Sequence, residues 1–153
     1  MLAAIRPSDV ELPLFLHVLG AMLLVGALLV VALAIARGWR TEPEAAAAPT
    51  RFGLLTILVG VIPAYVLMRV GAQWTEAASD YPESFDPAWL GIGYITADAG
   101  ALLILISAIL AGIGLRRLRR GGGLGLGRAA GVISVVLLVA YLVAVWAMTA
   151  KPT

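Results

Sequence analysis

The chain has 153 residues, of which 61% are hydrophobic and 13% charged, and its net charge is +2 at pH 7. It contains no cysteine, which excludes disulfides, thiolate metal ligands and a cysteine nucleophile. The length predicts a single domain, 1–153. Because four apolar stretches use almost all of it, we expect no soluble catalytic domain.

The four apolar stretches cover residues 12–36, 52–70, 90–115 and 129–150. A helix that crosses the hydrocarbon core of a bilayer needs about 20 apolar residues. Backbone groups in lipid must form their hydrogen bonds within the protein, and the stretches lack the polar alternation of barrel strands. The sequence therefore predicts an all-α fold, an up-down antiparallel bundle of four transmembrane helices in a multi-pass membrane protein.

Positive charge lies mostly in two of the connections, 37–51 and 116–128. Their arginines are Arg37, Arg40, Arg51, Arg116, Arg117, Arg119, Arg120 and Arg128. The other side of the membrane would carry only Arg6, Arg69 and Lys151. Because arginine and lysine favour cytoplasmic loops, this bias predicts that both termini are outside. Arginine in place of lysine, with abundant alanine and glycine, is typical of a GC-rich bacterial genome, so we expect the cytoplasmic (inner) membrane of a bacterium.

Proline and small residues shape the middle of the chain. The first connection contains Pro43, Pro49 and four consecutive alanines, and we interpret it as a linker. Pro63 is predicted to kink the second span. In the third span small residues recur at helical spacing, and this stripe predicts either a central packed helix or the seam of a homo-oligomer. The stripe consists of Gly93, Ala97, Gly100, Ser107 and Ala111, with Ile104 as its one large member.

Three ionisable residues lie within the spans, all in the outer half of the membrane: His17, Arg69 and Asp98. Tyr65 and Tyr94 each precede a charged residue by four positions and therefore share a helix face with it. Charge in a bilayer is costly and usually finds a partner. The five residues predict a polar intramembrane cluster, which is either an Arg69–Asp98 pair holding two helices together or a ligand or proton site.

His17 is also the residue type that most often binds metal. It is the sole histidine, so a bis-histidine site would need a second chain, whereas haem with one axial histidine stays open. Met22, Met68 and Met148 add thioether groups, which together with imidazole suit Cu(I). Methionine in an apolar helix is far more often a packing residue. No cofactor is expected from the cluster alone, and haem or copper is the alternative.

The arginine cluster Arg116, Arg117, Arg119 and Arg120 is predicted to contact anionic lipid headgroups as well as to set topology. It is short and close to the membrane, so nucleic-acid binding is not expected. Gly125, Gly127 and Ala130 fit a G-x-G-x-x-A pattern, but an arginine run precedes them where a dinucleotide site needs a strand. We therefore predict no nucleotide binding.

The first span, FLHVLGAMLLVGALL, carries one histidine near its outer end and a glycine nine residues later, His17 and Gly26. With the ending WAMTAKP, the chain resembles uncharacterised four-helix integral membrane proteins of actinobacteria, which brings no known function. It is more distantly similar to the copper-resistance D family and the HemJ-type protoporphyrinogen oxidases. That resemblance implies a metal or haem role for His17. HemJ-type proteins also rely on a membrane-embedded lysine, and Lys151 is the sole lysine here.

From the sequence we expect a non-enzymatic accessory subunit of a larger membrane complex or a small-ligand-binding membrane protein. The alternative is a haem- or copper-binding protein of redox or transport function that uses His17. A proton-coupled transporter using Asp98 is a third hypothesis, weakened by the small number of helices and the lack of an internal repeat.

Overall fold

The computed structural model describes residues 8–79 and 87–150, and this part of the chain is helical apart from short turns. Its elements are α1 (Ser8–Trp39), α2 (Pro43–Thr56), a π-helical segment (Ile57–Val61), α3 (Ile62–Ala77), α4 (Ala88–Leu118) and α5 (Gly125–Ala150). The described residues form no strand, as predicted. Arg6 and Lys151, which entered the charge argument, lie outside the described residues, as do Asp80, Glu83 and Asp86 of the connection between the second and third apolar stretches.

Four continuous helical stretches are long and apolar enough to cross a membrane: Asp9–Trp39, Ala45–Ala77, Ala88–Leu118 and Gly125–Ala150. Each is longer than the apolar run that predicted it. The difference arises at the ends, where arginines and tryptophans interrupt the apolar pattern but do not oppose helical backbone geometry. These four helices indicate a multi-pass helical membrane protein.

The interpretation of residues 37–51 as a linker is wrong for most of that segment. The α2 helix begins at Pro43, so it includes the alanine run and Pro49. Proline is well tolerated in the first turn of a helix because the amide group that it lacks has no intrahelical acceptor there. Alanine has the highest helix propensity of all residues. The composition that suggested a linker therefore starts the second membrane helix.

Pro63 is the second residue after a segment in which the α-helical hydrogen-bond pattern is interrupted. The π-helical segment Ile57–Val61 precedes it, and the Ile62 amide donates to the Ile57 carbonyl, one residue farther back than in an α-helix. A π-turn of this kind is a recognised site of helix distortion. A π-helical segment therefore leads into the proline, and the predicted kink at Pro63 stays a prediction.

The α1 helix packs closely against α3 because two glycines face the partner backbone. A Cβ atom on Gly20 would collide with the backbone of Met68, and a Cβ atom on Gly71 would collide with that of His17. Farther along, Gly53 lies against Ile35 of α1. The contacts occur in opposite chain order, so the two helices run antiparallel. Gly26, which the sequence resemblance singled out, faces open space.

The α4 helix packs against α5 along the predicted stripe of small residues. Ala97, Gly100, Ile104, Ser107 and Ala111 are buried there. Gly93 faces the methyl group of Met148, and Gly114 faces the backbone of Gly127. Ser107 donates to the Ala130 carbonyl at 3.2 Å, and Ser134 donates to the same oxygen at 2.9 Å. Within one chain, this stripe is therefore the surface of α4 against which α5 packs.

The arginine-bearing helix ends meet at one end of the molecule. Gly38 lies against Pro49, Gly127 faces Thr50, and Gly131 lies against Ile35 and Trp39. The α4 helix ends there as the Gly122 amide donates to the Arg117 carbonyl and Gly121 adopts a φ of 78°. A left-handed residue of this kind is the usual end of a helix and favours glycine. Trp74, Trp89 and Trp146 lie towards the opposite helix ends.

Candidate functional site

Five polar side chains lie between α3 and α4 and connect the two helices. We call them together the polar seam: Tyr65, Arg69, Glu76, Tyr94 and Asp98. The backbones of α3 and α4 make far fewer contacts with each other than α1 makes with α3 or α4 makes with α5. Long side chains that cross the gap between α3 and α4 therefore join the two helices. This polar seam differs from the close backbone packing elsewhere in the molecule.

An ion pair lies at the centre of the polar seam. The Arg69 guanidinium Nη2 donates to Asp98 Oδ1 at 2.8 Å. The Arg69 side chain is 23% exposed and the Asp98 side chain 67% exposed. Asp98 is ten residues from the start of α4, roughly 15 Å along the helix axis. A carboxylate so exposed at that depth makes Asp98 a candidate functional residue, because charged groups within membrane spans usually line a cavity or meet a partner.

Two tyrosines surround this pair and make different contacts. The Tyr65 hydroxyl donates to the Ala97 carbonyl of α4 at 3.1 Å. The ring of Tyr94 lies 5.7 Å from the Arg69 guanidinium carbon, within the range of a cation–π contact. The Tyr94 hydroxyl donates to the Glu76 carboxylate. The structure thus brings together four of the five residues that the sequence placed in one polar cluster.

Glu76 belongs to this group, although the sequence placed it in the outer connection. The α3 helix continues to Ala77, seven residues or about two turns beyond the predicted end of the span at residue 70. Glu76 follows Arg69 by seven residues, which is two helical turns, so both face α4. The signal was present in the spacing, but it required knowledge that the helix extends beyond the apolar run.

His17 bonds to a different side of α3. Its Nδ1 atom lies 2.9 Å from the Met68 carbonyl oxygen. Because a carbonyl oxygen only accepts, Nδ1 is the donor in this contact. Met68 and Gly71 are on the face of α3 that packs against α1, whereas Arg69 reaches towards α4. His17 therefore contacts backbone, and no contact joins it to the Arg69–Asp98 pair.

The three methionines proposed as metal ligands have separate surroundings. Met22 is exposed and lines an open apolar groove between α1 and the π-helical segment. Met68 is buried where α1 meets α3, and the Met148 methyl lies against Gly93 of α4. In the described part of the chain, no group of three or more histidine, cysteine or acidic residues is placed to hold a metal ion.

Tyr141 of α5 was not foreseen as a site residue. Its side chain is 4% exposed, and its hydroxyl has no hydrogen-bond partner among the described residues. The hydroxyl touches the position where a Cβ atom on Gly100 would lie, and the phenol is within electrostatic range of Tyr65 and Arg69. Nothing in an apolar run that contains a single tyrosine identifies its hydroxyl as unpartnered.

The predicted lipid-contacting arginines Arg116, Arg117, Arg119 and Arg120 are all exposed at the end of α4 and in the following turn. The two in the last helical turn, Arg116 and Arg117, also complement the negative end of the helix dipole. Their exposure leaves the guanidinium groups accessible from outside the protein.

No protein-family model, curated protein or solved structure matches this chain. Its function is therefore inferred from the side chains of the polar seam and from the positions of the charged helix ends.

Proposed function

We propose that this chain is a non-enzymatic, small-ligand-binding protein of the bacterial cytoplasmic membrane, with the polar seam between α3 and α4 as its binding site. The observation that carries the proposal is the Asp98 carboxylate, 67% exposed within a membrane-spanning helix and paired with Arg69. A pair that served only to hold two helices together would be better enclosed by them, because lipid cannot satisfy the remaining acceptor sites of a carboxylate.

The proposal includes an up-down bundle with both termini outside and the arginine-bearing end in the cytoplasm. The charge bias supports this orientation, since eight exposed arginines lie at one end of the helices. Because the chain has no cysteine, single cysteines report it cleanly. The labelling uses spheroplasts, in which the outer layers of the cell envelope are removed and the cytoplasmic membrane is intact. A membrane-impermeant maleimide should label Thr149→Cys directly, and it should label Gly123→Cys only after the membrane is permeabilised. The opposite pattern would refute the orientation.

The binding function is tested by native mass spectrometry of the protein extracted with its surrounding membrane. Small molecules that stay bound to the wild type should be lost from the double variant Arg69→Gln with Asp98→Asn, which keeps size and hydrogen-bonding capacity but removes both charges. Ser134→Ala is the control, because its hydroxyl bonds within α5 and lies outside the seam. Identical bound masses in all three proteins would contradict the proposal.

A second candidate function is haem binding through His17, in line with the resemblance to families in which this histidine acts. It is favoured by the Nδ1 contact with the Met68 carbonyl, because a hydrogen bond to the other ring nitrogen orients metal-ligating histidines in the same way. A visible absorption spectrum with iron and copper analysis tests it. A Soret band lost in His17→Ala would support haem, and a folded, colourless and metal-free wild type prepared with added haem would count against it.

A further inference from the structure

The Tyr141 hydroxyl is a buried donor for which the described residues provide no acceptor. Burying a hydroxyl without a hydrogen bond is costly, and phenylalanine would fill the same volume without that cost. Gly100 adds to the observation, because any side chain there would collide with the hydroxyl. The chain therefore places a hydrogen-bond donor deep in the bundle at a position where packing alone requires none.

The hydroxyl lies behind the polar seam. Gly100, which it touches, is one helical turn from Ala97, and the Ala97 carbonyl accepts the hydrogen bond from Tyr65. The phenol is within electrostatic range of Tyr65 and Arg69. Tyr141 thus lies on the α5 side of α4, one helical turn from the point where Tyr65 crosses from α3 to α4, and we call this position the inner wall of the polar seam.

A molecule can reach this wall if α3 and α4 separate at the seam. Among the hydrogen bonds and ion pairs of the described residues, the separation breaks three: Tyr65 with the Ala97 carbonyl, Arg69 with Asp98, and Tyr94 with Glu76. The Gly20 and Gly71 contacts hold α3 against α1, and the Gly93 and Gly114 contacts hold α4 against α5, so these two helix pairs can stay packed. Opening is therefore confined to α3, because α2 and the π-helical segment pack against α4.

The hydrogen-bond donors and the net charge of the polar seam indicate which class of molecule binds there. Tyr141 has a hydroxyl to donate, and Arg69 uses one nitrogen for Asp98, so its other N–H groups can donate as well. Arg69, Asp98 and Glu76 together carry one net negative charge, which disfavours an anion. The surrounding helices place the site among membrane-dissolved molecules. A neutral molecule that accepts hydrogen bonds meets all of these conditions.

We propose that the seam binds the carbonyl oxygen of a neutral, membrane-dissolved molecule, which accepts hydrogen bonds from Tyr141 and Arg69. The proposal rests on the proposed function and names the ligand chemistry of that site. The carbonyl group comes from a quinone ring or from the ester of a membrane lipid, two sources that offer the same acceptor.

The test measures the thermal unfolding midpoint in nanodiscs, with decylubiquinone as the quinone probe. One series uses ether-linked phospholipids, which have no ester carbonyl, and a second uses ester-linked phospholipids of the same headgroup and chain length. The variants are Tyr141→Phe and the control Ser134→Ala, a satisfied hydroxyl of the same helix. Without a ligand, Tyr141→Phe should unfold at the wild-type midpoint or above it, since its hydroxyl has no protein partner.

A quinone source is supported if decylubiquinone in ether lipid raises the midpoint of the wild type and Ser134→Ala, while Tyr141→Phe needs at least a tenfold higher concentration. A lipid-ester source is supported if ester lipid raises the midpoint over ether lipid by a difference that Tyr141→Phe removes. The proposal is overturned if neither carbonyl source acts, or if Tyr141→Phe responds like the wild type. Loss of other bound molecules from the Arg69–Asp98 double variant would still support the proposed function in that case.

If Tyr141→Phe fails to fold, the infrared carbonyl stretch of a bound, isotope-labelled probe in the wild type decides. A stretch lowered relative to the probe in protein-free nanodiscs supports a hydrogen-bonded carbonyl group, and an unshifted stretch overturns it.

Discussion

The seams α1–α3 and α4–α5 contrast with the polar seam between α3 and α4. In the first two, glycines allow backbones to touch, and the buried serines share one carbonyl acceptor. In the third, long polar side chains cross an interval, and one carboxylate is mostly exposed. Small residues stabilise helix pairs in lipid through close packing. Polar side chains on the surface of a span instead need a polar partner or a water-filled cavity. The comparison separates the contacts that hold the fold from those available for binding.

The largest effect is expected from a side chain placed in the α1–α3 seam. In Gly71→Ala the new Cβ atom collides with the backbone of His17, and backbone atoms cannot turn aside as a side chain would. We expect a loss of about 3 kcal/mol in the free energy of unfolding, the upper range for overpacking. Unfolding by a denaturing detergent measures it. Gly26→Ala, which adds a methyl group in open space, should unfold like the wild type. Equal stability of the two variants would show that the seam is not close-packed.

A smaller loss is expected in the α4–α5 seam. The Cβ atom of Gly100→Ala meets the Tyr141 hydroxyl, which is the end of a side chain and has some freedom to move. We expect a cost of about 2 kcal/mol, and Tyr141→Phe should recover part of it because the colliding oxygen is removed. A double-mutant cycle measures this coupling. Strictly additive effects would place the hydroxyl away from Gly100.

The polar seam should contribute least to folding. Double-mutant cycles on polar contacts between membrane helices give about 0.6 kcal/mol on average and at most about 1.7, so the pairing of Arg69 with Asp98 should be worth about 1 kcal/mol. A double-mutant cycle with Arg69→Gln and Asp98→Asn measures the coupling free energy of unfolding. A coupling of several kcal/mol would assign the pair to structure and remove the contrast between the seams.

Outside all three seams, the arginines at the end of α4 should affect lipid binding more than folding. Replacing Arg116, Arg117, Arg119 and Arg120 with glutamine should weaken association with anionic lipid by about 1 kcal/mol per residue. The unfolding midpoint in neutral lipid should fall only slightly, because all four side chains are exposed and only Arg116 and Arg117 lie in the last helical turn, where a positive charge contributes about 0.3–1 kcal/mol. Replacement with lysine, which preserves the charge, is the control. Equal lipid association of the glutamine and lysine variants would contradict the prediction.

Apolar length predicted the helical class and the number of spans, because a bilayer-crossing helix must be apolar along most of its length. Helix ends were less predictable: the alanine run after Pro43 is helical, and α3 continues to Glu76. Polarity alone does not end a helix, whereas an internal capping structure such as the one at Gly121 does.

Helical spacing predicted which faces Arg69 and Asp98 occupy and that Tyr65 and Tyr94 share them. It did not predict the glycines at close contacts, since Gly20 and Gly71 meet backbone while Gly26 faces open space. Those differences depend on how the helices cross, which three-dimensional packing decides. The unpartnered hydroxyl of Tyr141 was also not predictable from the sequence, because its lack of an acceptor depends on which residues pack around it.

The most direct test of the contrast is a distance distribution across two seams, measured by double electron–electron resonance in nanodiscs. Nitroxide pairs replace exposed residues of this cysteine-free chain: Val70 with Ile95 across the polar seam, and Leu105 with Val136 across α4 and α5. We predict a broad or two-peaked distribution for the first pair and a single narrow peak for the second. Two equally narrow distributions would contradict an opening seam and with it the binding site proposed there.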